Sequence, residues 1–204
     1  MRNIALELSK TQSNSIFVPA SSGLAEELLT RFFRPNGKSR FFNGAALGSM
    51  GHGLAQSIGA LKARNNDSIT VNCLEGDAGL WMSVQELATL AELNPSNFRL
   101  FILNNRGYGS IEVSQKNHLS YVSGCNPETG LLLPDWKKVA KIFELQYILV
   151  TTLKDLILLL ETNEIPCVQI IDLRIPTEEN KGPRLQTVMT VSGPKTGKLK
   201  EISW

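Results

Sequence analysis

The sequence predicts an α/β protein, a parallel sheet with helices on both faces. Three observations predict it. Apolar runs of strand length, rich in Ile, Val, Leu and Phe, recur along the chain. Stretches with apolar residues at helical spacing separate them. Two of the runs end in polar glycine-bearing turns, Glu75-Gly76-Asp77-Ala78-Gly79 and Asn104-Asn105-Arg106-Gly107-Tyr108-Gly109. In a parallel sheet both turns lie at the C-terminal edge, where α/β proteins bind ligands. Strands alternating with helices leave both faces covered.

The elements follow in order. Residues 1–14 read as a polar lead-in with a short helix around Ile4 to Leu8. Ile16 to Ala20 is a first strand, with Pro19 near its end. Ser21-Ser22-Gly23 turns into a helix from Leu24 to Phe33, whose stripe is Leu24, Leu28, Leu29 and Phe32; Pro35-Asn36-Gly37 ends it. Arg40 to Gly44 leads into a turn, Ala45 to Gly51. Gly53 to Ala63 is a helix of small residues that packs closely on the sheet. After a charged loop, Ser68 to Leu74 is a buried strand. Met82 to Leu93 is a helix with Val84, Leu87, Ala88, Leu90 and Ala91 on its apolar side, and Phe98 to Leu103 is the next strand. Residues 114–134 are loop-rich. Asp135-Trp136 opens a helix with Val139, Ala140 and Phe143. Tyr147 to Val150 is a strand, Leu153 to Glu161 a helix, and Pro166 to Asp172 the last core strand. Beyond residue 174 periodicity is lost. The expected organisation is a lead-in (1–14), one binding domain (15–175) and an extended tail (176–204), in which Trp204 offers an anchor.

A chain of 204 residues is by default one domain. It buries about 70% of its unfolded surface and needs no disulfide. Cys73, Cys125 and Cys167 are irregularly spaced and form no metal motif; Cys73 and Cys167 fall in apolar runs and are expected in the core. The net charge of +2 argues against nucleic acid as a partner. No apolar run reaches the ~18 residues of a membrane span, and Met1 to Thr11 lacks a secretory apolar region. The expected location is cytoplasmic.

The paired turns suggest a chemistry. Gly76 and Gly79 allow a ligand close to the backbone, and a helix N-terminus favours an anion. An anion alone would be repelled by Asp77. The carboxylate makes sense when a hard cation lies between it and phosphate oxygens. Asn105 adds a side-chain carbonyl and Gly107 a backbone carbonyl. One carboxylate, two neutral oxygens, phosphate and water suit octahedral Mg²⁺. Taken singly, a Gly-Asp turn and an Asn-Asn turn are ordinary loop chemistry, and a generic nucleotide-binding domain would account for each.

Together they resemble a known family. Gly76-Asp77-Ala78, twenty-five intervening residues, then Asn104-Asn105 is similar to the diphosphate- and Mg²⁺-binding motif of thiamine diphosphate enzymes. Gly48-Ser49-Met50-Gly51 through Gly59-Ala60 resembles that family's GSMG…IGA segment. Gln85 to Thr89 looks like its helix, and Asn104 to Ile111 resembles the NN-x-GYG-x-I turn of acetolactate synthase relatives. The likeness covers about residues 15–175 and three separated motifs in order.

The resemblance implies a thiamine diphosphate-binding fold. It implies cofactor contacts from Ser22, Ser49, Met50, Gly76, Asp77, Ala78, Gly79, Asn105, Gly107, Tyr108 and Ile111, with Mg²⁺ on Asp77, Asn105 and Gly107. Met50 would prop the cofactor into its bent form; a core methionine filling a gap is the plain alternative. Ser21 and Ser22 are hydroxyl donors or simply helix caps. His52 resembles the phosphonopyruvate and sulfopyruvate decarboxylase branch, or is structural; His118 is a surface residue. The implied activity is decarboxylation or carboligation of a small 2-oxo acid. The glutamate that activates the cofactor belongs to a pyrimidine-binding domain, expected on a separate chain, so no catalytic residue is expected in this one. The alternatives are a phosphonopyruvate- or sulfopyruvate-type β subunit, a non-catalytic relative, or an unrelated nucleotide-binding domain.

Overall fold

The computed structural model describes residues 2–11, 14–20, 23–44, 46–119, 121–162, 165–176 and 184–200. In chain order these form α1 (Arg2–Thr11), β1 (Ser15–Pro19), α2 (Gly23–Phe32), β2 (Arg40–Phe41), α3 (His52–Ala63), β3 (Thr70–Gly76), α4 (Asp77–Trp81) and α5 (Glu86–Leu93). There follow β4 (Phe98–Asn104), α6 (Gly109–His118), α7 (Trp136–Ile142), β5 (Gln146–Val150), α8 (Leu153–Glu161), β6 (Gln169–Arg174), β7 (Arg184–Thr190) and β8 (Gly193–Lys200).

β4 is buried along its whole length. It pairs in parallel with β3 on one side and β6 on the other. Six parallel strands run in the order β2-β1-β3-β4-β6-β5. Alternate residues point to opposite faces, so each face holds its own core. On one, Ala5 and Leu8 of α1, Leu29 of α2 and Leu156 and Leu160 of α8 pack on Phe17, Leu74, Phe101 and Ile171. On the other, Leu54 and Leu61 of α3, Leu87 and Leu90 of α5 and Trp136 of α7 pack on Val71, Cys73, Leu100 and Ile170. The parallel sheet covered on both faces is the fold class the sequence predicts.

Several elements differ from expectation. The helix expected over Met82 to Leu93 is two pieces. α4 starts at Asp77, directly after β3, and Met82 to Gln85 forms turns with bonds three residues apart, from Met82 N–H to Gly79 and Ser83 N–H to Leu80. Such tighter winding re-aims the chain between two short helices. The lead-in helix is longer than Ile4 to Leu8, because Ala5 and Leu8 have a core to enter. The last core strand starts at Gln169, not Pro166, and runs on to Arg174 beside Asn104; proline cannot donate to a ladder. The tail, expected to be extended, holds an antiparallel hairpin, β7–β8. Cys73 is buried as expected, but Cys167 is only partly so, and the loop residue Cys125 is fully buried. The expectations for Ser21, Ser22 and Trp204 lie outside the described residues. No described helix is long and apolar enough to cross a membrane.

Candidate functional site

The site forms where β3 and β4 end side by side. Gly76 closes β3 next to Leu103, and each chain then leaves the sheet in a polar turn. Asp77 follows Gly76 and is 1% exposed; Asn105 follows Asn104 and is 7% exposed. The amide oxygen of Asn105 points at Asp77 Oδ1, 3.3 Å away, and at the Gly107 carbonyl oxygen, 2.8 Å away. All three are acceptors. Turned over, the amide would donate to both neighbours. Asp77 Oδ1 takes the Ala78 N–H at 2.8 Å, while Oδ2 has no partner among the described residues.

With its amide oxygen inward, Asn105 makes with Asp77 Oδ1 and the Gly107 carbonyl an all-oxygen set that suits a cation; with its NH₂ inward, the same three groups are joined by two hydrogen bonds. Ligands 2.0–2.1 Å from an octahedral Mg²⁺ lie about 2.9 Å apart, close to the spacing seen here. The donor set is all oxygen with one carboxylate, which fits a hard ion that keeps water and phosphate ligands. Burial pushes the Asp77 carboxyl up to about 7, against the pull of the Ala78, Arg106 and Gly107 N–H groups and with a further push from Asp172. A cation beside it would reverse that push.

The turns are held rigidly. A Cβ on Gly107 would run into the carbonyl oxygen of Cys125, so only glycine fits. That carbonyl takes the Tyr108 N–H at 2.7 Å. The Tyr108 hydroxyl donates to the Ala78 carbonyl at 3.2 Å and links the second turn to the first. The third motif joins them. Gly51 is left-handed at φ 73°, and a Cβ there would lie 2.8 Å from the Gly79 carbonyl oxygen. Glu75 Oε1 accepts the Gly53 N–H at 2.6 Å and so ties the start of α3 to the end of β3.

A cavity of about 240 Å³ opens over this edge. Met50, Gly76, Asp77, Ala78, Gly79, Asn105, Gly107, Tyr108 and Ile111 all line it. Ser49 lies on the same turn but off the wall, and Ser22 lies outside the described residues. Met50 is 42% exposed, so it is a wall residue and not core filler. His52 opens α3 and is exposed; His118 is exposed at the end of α6, its Nδ1 2.7 Å from the Ser114 carbonyl oxygen. α6 begins on the cavity wall at Gly109 and Ser110 and has no side-chain cap.

Sequence reasoning left Glu75 out of the site. It is fully buried, lines the cavity, and its Oε2 has no partner among the described residues. Burial pushes its carboxyl up to about 7, opposed by the Gly53, Leu54 and Gly76 N–H groups. The available signal was a charged residue inside an apolar strand, directly before Gly76-Asp77.

Comparison with known proteins places the chain in a family. The family described as thiamine pyrophosphate enzyme, C-terminal TPP binding domain, matches residues 21–163. The chain belongs to this family. Among its relatives, the acetolactate synthase large subunit of Cyanidium caldarium is 33% identical over 150 residues, 72% of this chain and 25% of that protein. The acetolactate synthase isozyme 1 large subunit of Escherichia coli K12 is 35% identical over 89 residues, 44% of this chain and 15% of that protein. This TPP-domain chain thus spans about a quarter or less of these two relatives. In fold it is similar to a thiamine diphosphate-dependent 4-hydroxybenzoylformate decarboxylase of Rhodococcus jostii RHA1. The TM-score is 0.65 at 21% identity, covering 87% of this chain and 32% of that one.

Proposed function

We propose that the chain is the diphosphate- and Mg²⁺-binding part of a thiamine diphosphate-dependent enzyme acting on a small 2-oxo acid, as a decarboxylase or an acetolactate synthase-like carboligase. The observation that carries this reading is the convergence of the buried Asp77 carboxyl, the Asn105 side-chain amide and the Gly107 carbonyl at the wall of the cavity. Asp77, Asn105 and Gly107 hold the Mg²⁺. The uncapped start of α6 offers N–H groups to the diphosphate. Met50, Tyr108 and Ile111 shape the wall along which the cofactor lies. When bound, thiamine diphosphate supplies an electron sink for the carbon that loses CO₂. The protein's part is to bind, to orient and to keep the two turns from moving.

The glutamate that activates the cofactor comes from outside these 204 residues, on a separate pyrimidine-binding chain. Glu75 is the one glutamate on the cavity wall among the described residues, and its Oε1 is held by the Gly53 N–H. Residues 15–175 form the binding unit, and three free thiols favour a cytoplasmic home. A non-catalytic role gives no reason to keep a buried, oxygen-only cluster.

Calorimetry tests the cofactor assignment. Thiamine diphosphate should bind the wild-type chain only with Mg²⁺. Asp77→Ala should abolish that binding while circular dichroism stays native; unchanged affinity would reject the metal site. Native mass spectrometry of the protein from its own host tests the partner. A complex with a second chain, the cofactor and Mg²⁺ supports it, and a bare homo-oligomer that ignores added cofactor counts against it.

A further inference from the structure

Behind the second turn lies a buried carboxylate that the binding site does not use directly. Asp172 of β6 is 0% exposed, opposite Ile102 of β4 and Leu149 of β5. A buried charge is costly unless its oxygens are well partnered. Oδ1 accepts the side-chain N–H of Asn104 at 2.8 Å. Oδ2 accepts the Tyr147 hydroxyl at 2.8 Å and pairs with Arg174 Nη2 at 2.9 Å.

The link to Asn104 has a consequence one residue further on. An asparagine amide has a donor end and an acceptor end. A carboxylate only accepts, so Asp172 compels the NH₂ of Asn104 to face it. The carbonyl end then faces the turn, where it accepts the Arg106 N–H at 3.2 Å. Arg106 is left-handed at φ 62°, a conformation that costs a side-chain-bearing residue roughly 1–2 kcal/mol. The Asn104 bond holds the chain in that conformation. On either side of Arg106 stand Asn105 and Gly107, the two neutral oxygen donors.

We propose that Asp172 is a positioning residue for the metal-binding turn, acting through the amide of Asn104 on the backbone at Arg106. This rests on the cofactor reading above. Tyr147 and Arg174 occupy the far oxygen of Asp172 and keep the carboxylate from rotating away. Neither Asp172 nor Asn104 lines the cavity. Their effect is on the affinity of the Mg²⁺, not on the shape of the substrate pocket.

The experiment uses the full chain, with thiamine diphosphate at fixed concentration and Mg²⁺ titrated. Cofactor binding is read by calorimetry well below each variant's melting temperature, and thermal unfolding is measured in parallel. Asp172→Ala should raise the Mg²⁺ midpoint about 10–100-fold, the range for partners that orient metal ligands. Asn104→Ala should do the same, and the double variant should be no worse than the poorer single one, since both remove one pathway. Asp172→Asn leaves one acceptor oxygen for donors that now reach two, Asn104 on one side and Tyr147 and Arg174 on the other, so its midpoint should lie between those of the wild type and Asp172→Ala. A wild-type midpoint in Asp172→Ala, or effects that multiply in the double variant, would overturn the positioning role while leaving the cofactor reading intact. Should Asp172→Ala not fold, a wild-type midpoint in Asn104→Ala overturns it equally. Wild-type protein that takes up no cofactor at any Mg²⁺ concentration, even as the complex isolated from its own host, overturns both readings.

Discussion

Gly107→Ala is the substitution for which the structure gives the most definite expectation. The added Cβ would overlap the Cys125 carbonyl oxygen and sit 3.1 Å and 3.2 Å from Cys125 C and Asn126 Cα. These are backbone atoms, so no side chain can swing aside. Relief requires the 105–108 turn and the 124–126 loop to part by on the order of 1 Å to restore ordinary contact. The Tyr108–Cys125 hydrogen bond at 2.7 Å resists that movement. Overpacking costs about 1–3 kcal/mol, and weakening the bond about 0.5–1.5 kcal/mol more. At about 2–4 °C per kcal/mol for a chain of this size, the melting temperature should fall by roughly 3–18 °C. The protein should still fold. The Gly107 carbonyl would leave its place 2.8 Å from the Asn105 amide. Disturbing the placement of a metal ligand lowers metal affinity by about 10–100-fold, so Mg²⁺-dependent cofactor binding should weaken by that order. Calorimetry of thiamine diphosphate with Mg²⁺, beside differential scanning fluorimetry, measures both effects. Gly130→Ala is the control: at φ 100° it carries backbone strain, but a Cβ there meets nothing within 4 Å. It should lose stability without losing Mg²⁺-dependent affinity. Wild-type affinity in Gly107→Ala would refute the claim that this carbonyl holds the metal.

Two further predictions concern separate parts of the fold. Tyr108→Phe removes the bond between the turns at Ala78; one neutral hydrogen bond is worth about 0.5–1.5 kcal/mol of stability, so the melting temperature should fall by roughly 1–6 °C in scanning fluorimetry, and the untied turns should bind the cofactor more weakly by calorimetry. Thr152 and Asp155 form a reciprocal capping box at the start of α8. Thr152→Ala should destabilise the chain by about 0.5–2 kcal/mol in denaturant unfolding. The Asp155 carboxyl is lowered below its usual value, chiefly by the Thr152 side chain. Its stabilisation is therefore present above the unfolded-state value and lost as pH falls through the folded one. Wild type and Asp155→Asn should differ at pH 7 and converge in acid; a gap that persists in acid would contradict this.

Much of the architecture is legible because period and burial are local properties. β4 is an apolar run interrupted by Arg99 and closed by Asn104, and it proved buried along its whole length. Leu153 to Glu161 is bounded by a threonine cap and was readable to the residue. The paired turns were visible as polar interruptions after such runs. The split between α4 and α5 was not legible, because both pieces share one helical spacing and the break depends on how they pack. Cys125 looked like a loop residue. Its burial follows from the 124–126 loop folding back on Tyr108, a contact between residues 17 apart in the chain.

By itself the sequence determined that the chain is a parallel α/β domain, that the strands running out into Gly76-Asp77 and Asn104-Asn105 end in polar turns, and that oxygen donors are available there. Strand period and glycine turns are written in consecutive residues. Only the tertiary structure decided which oxygens converge. It set the Asn105 amide against Asp77 and Gly107, bonded Glu75 Oε1 to the Gly53 N–H, and placed Asp172 behind Asn104. Those pairings bring together residues 22, 28 and 68 positions apart. Their distances depend on the register of neighbouring strands, which is fixed by both packed faces of the sheet at once and not by any one segment.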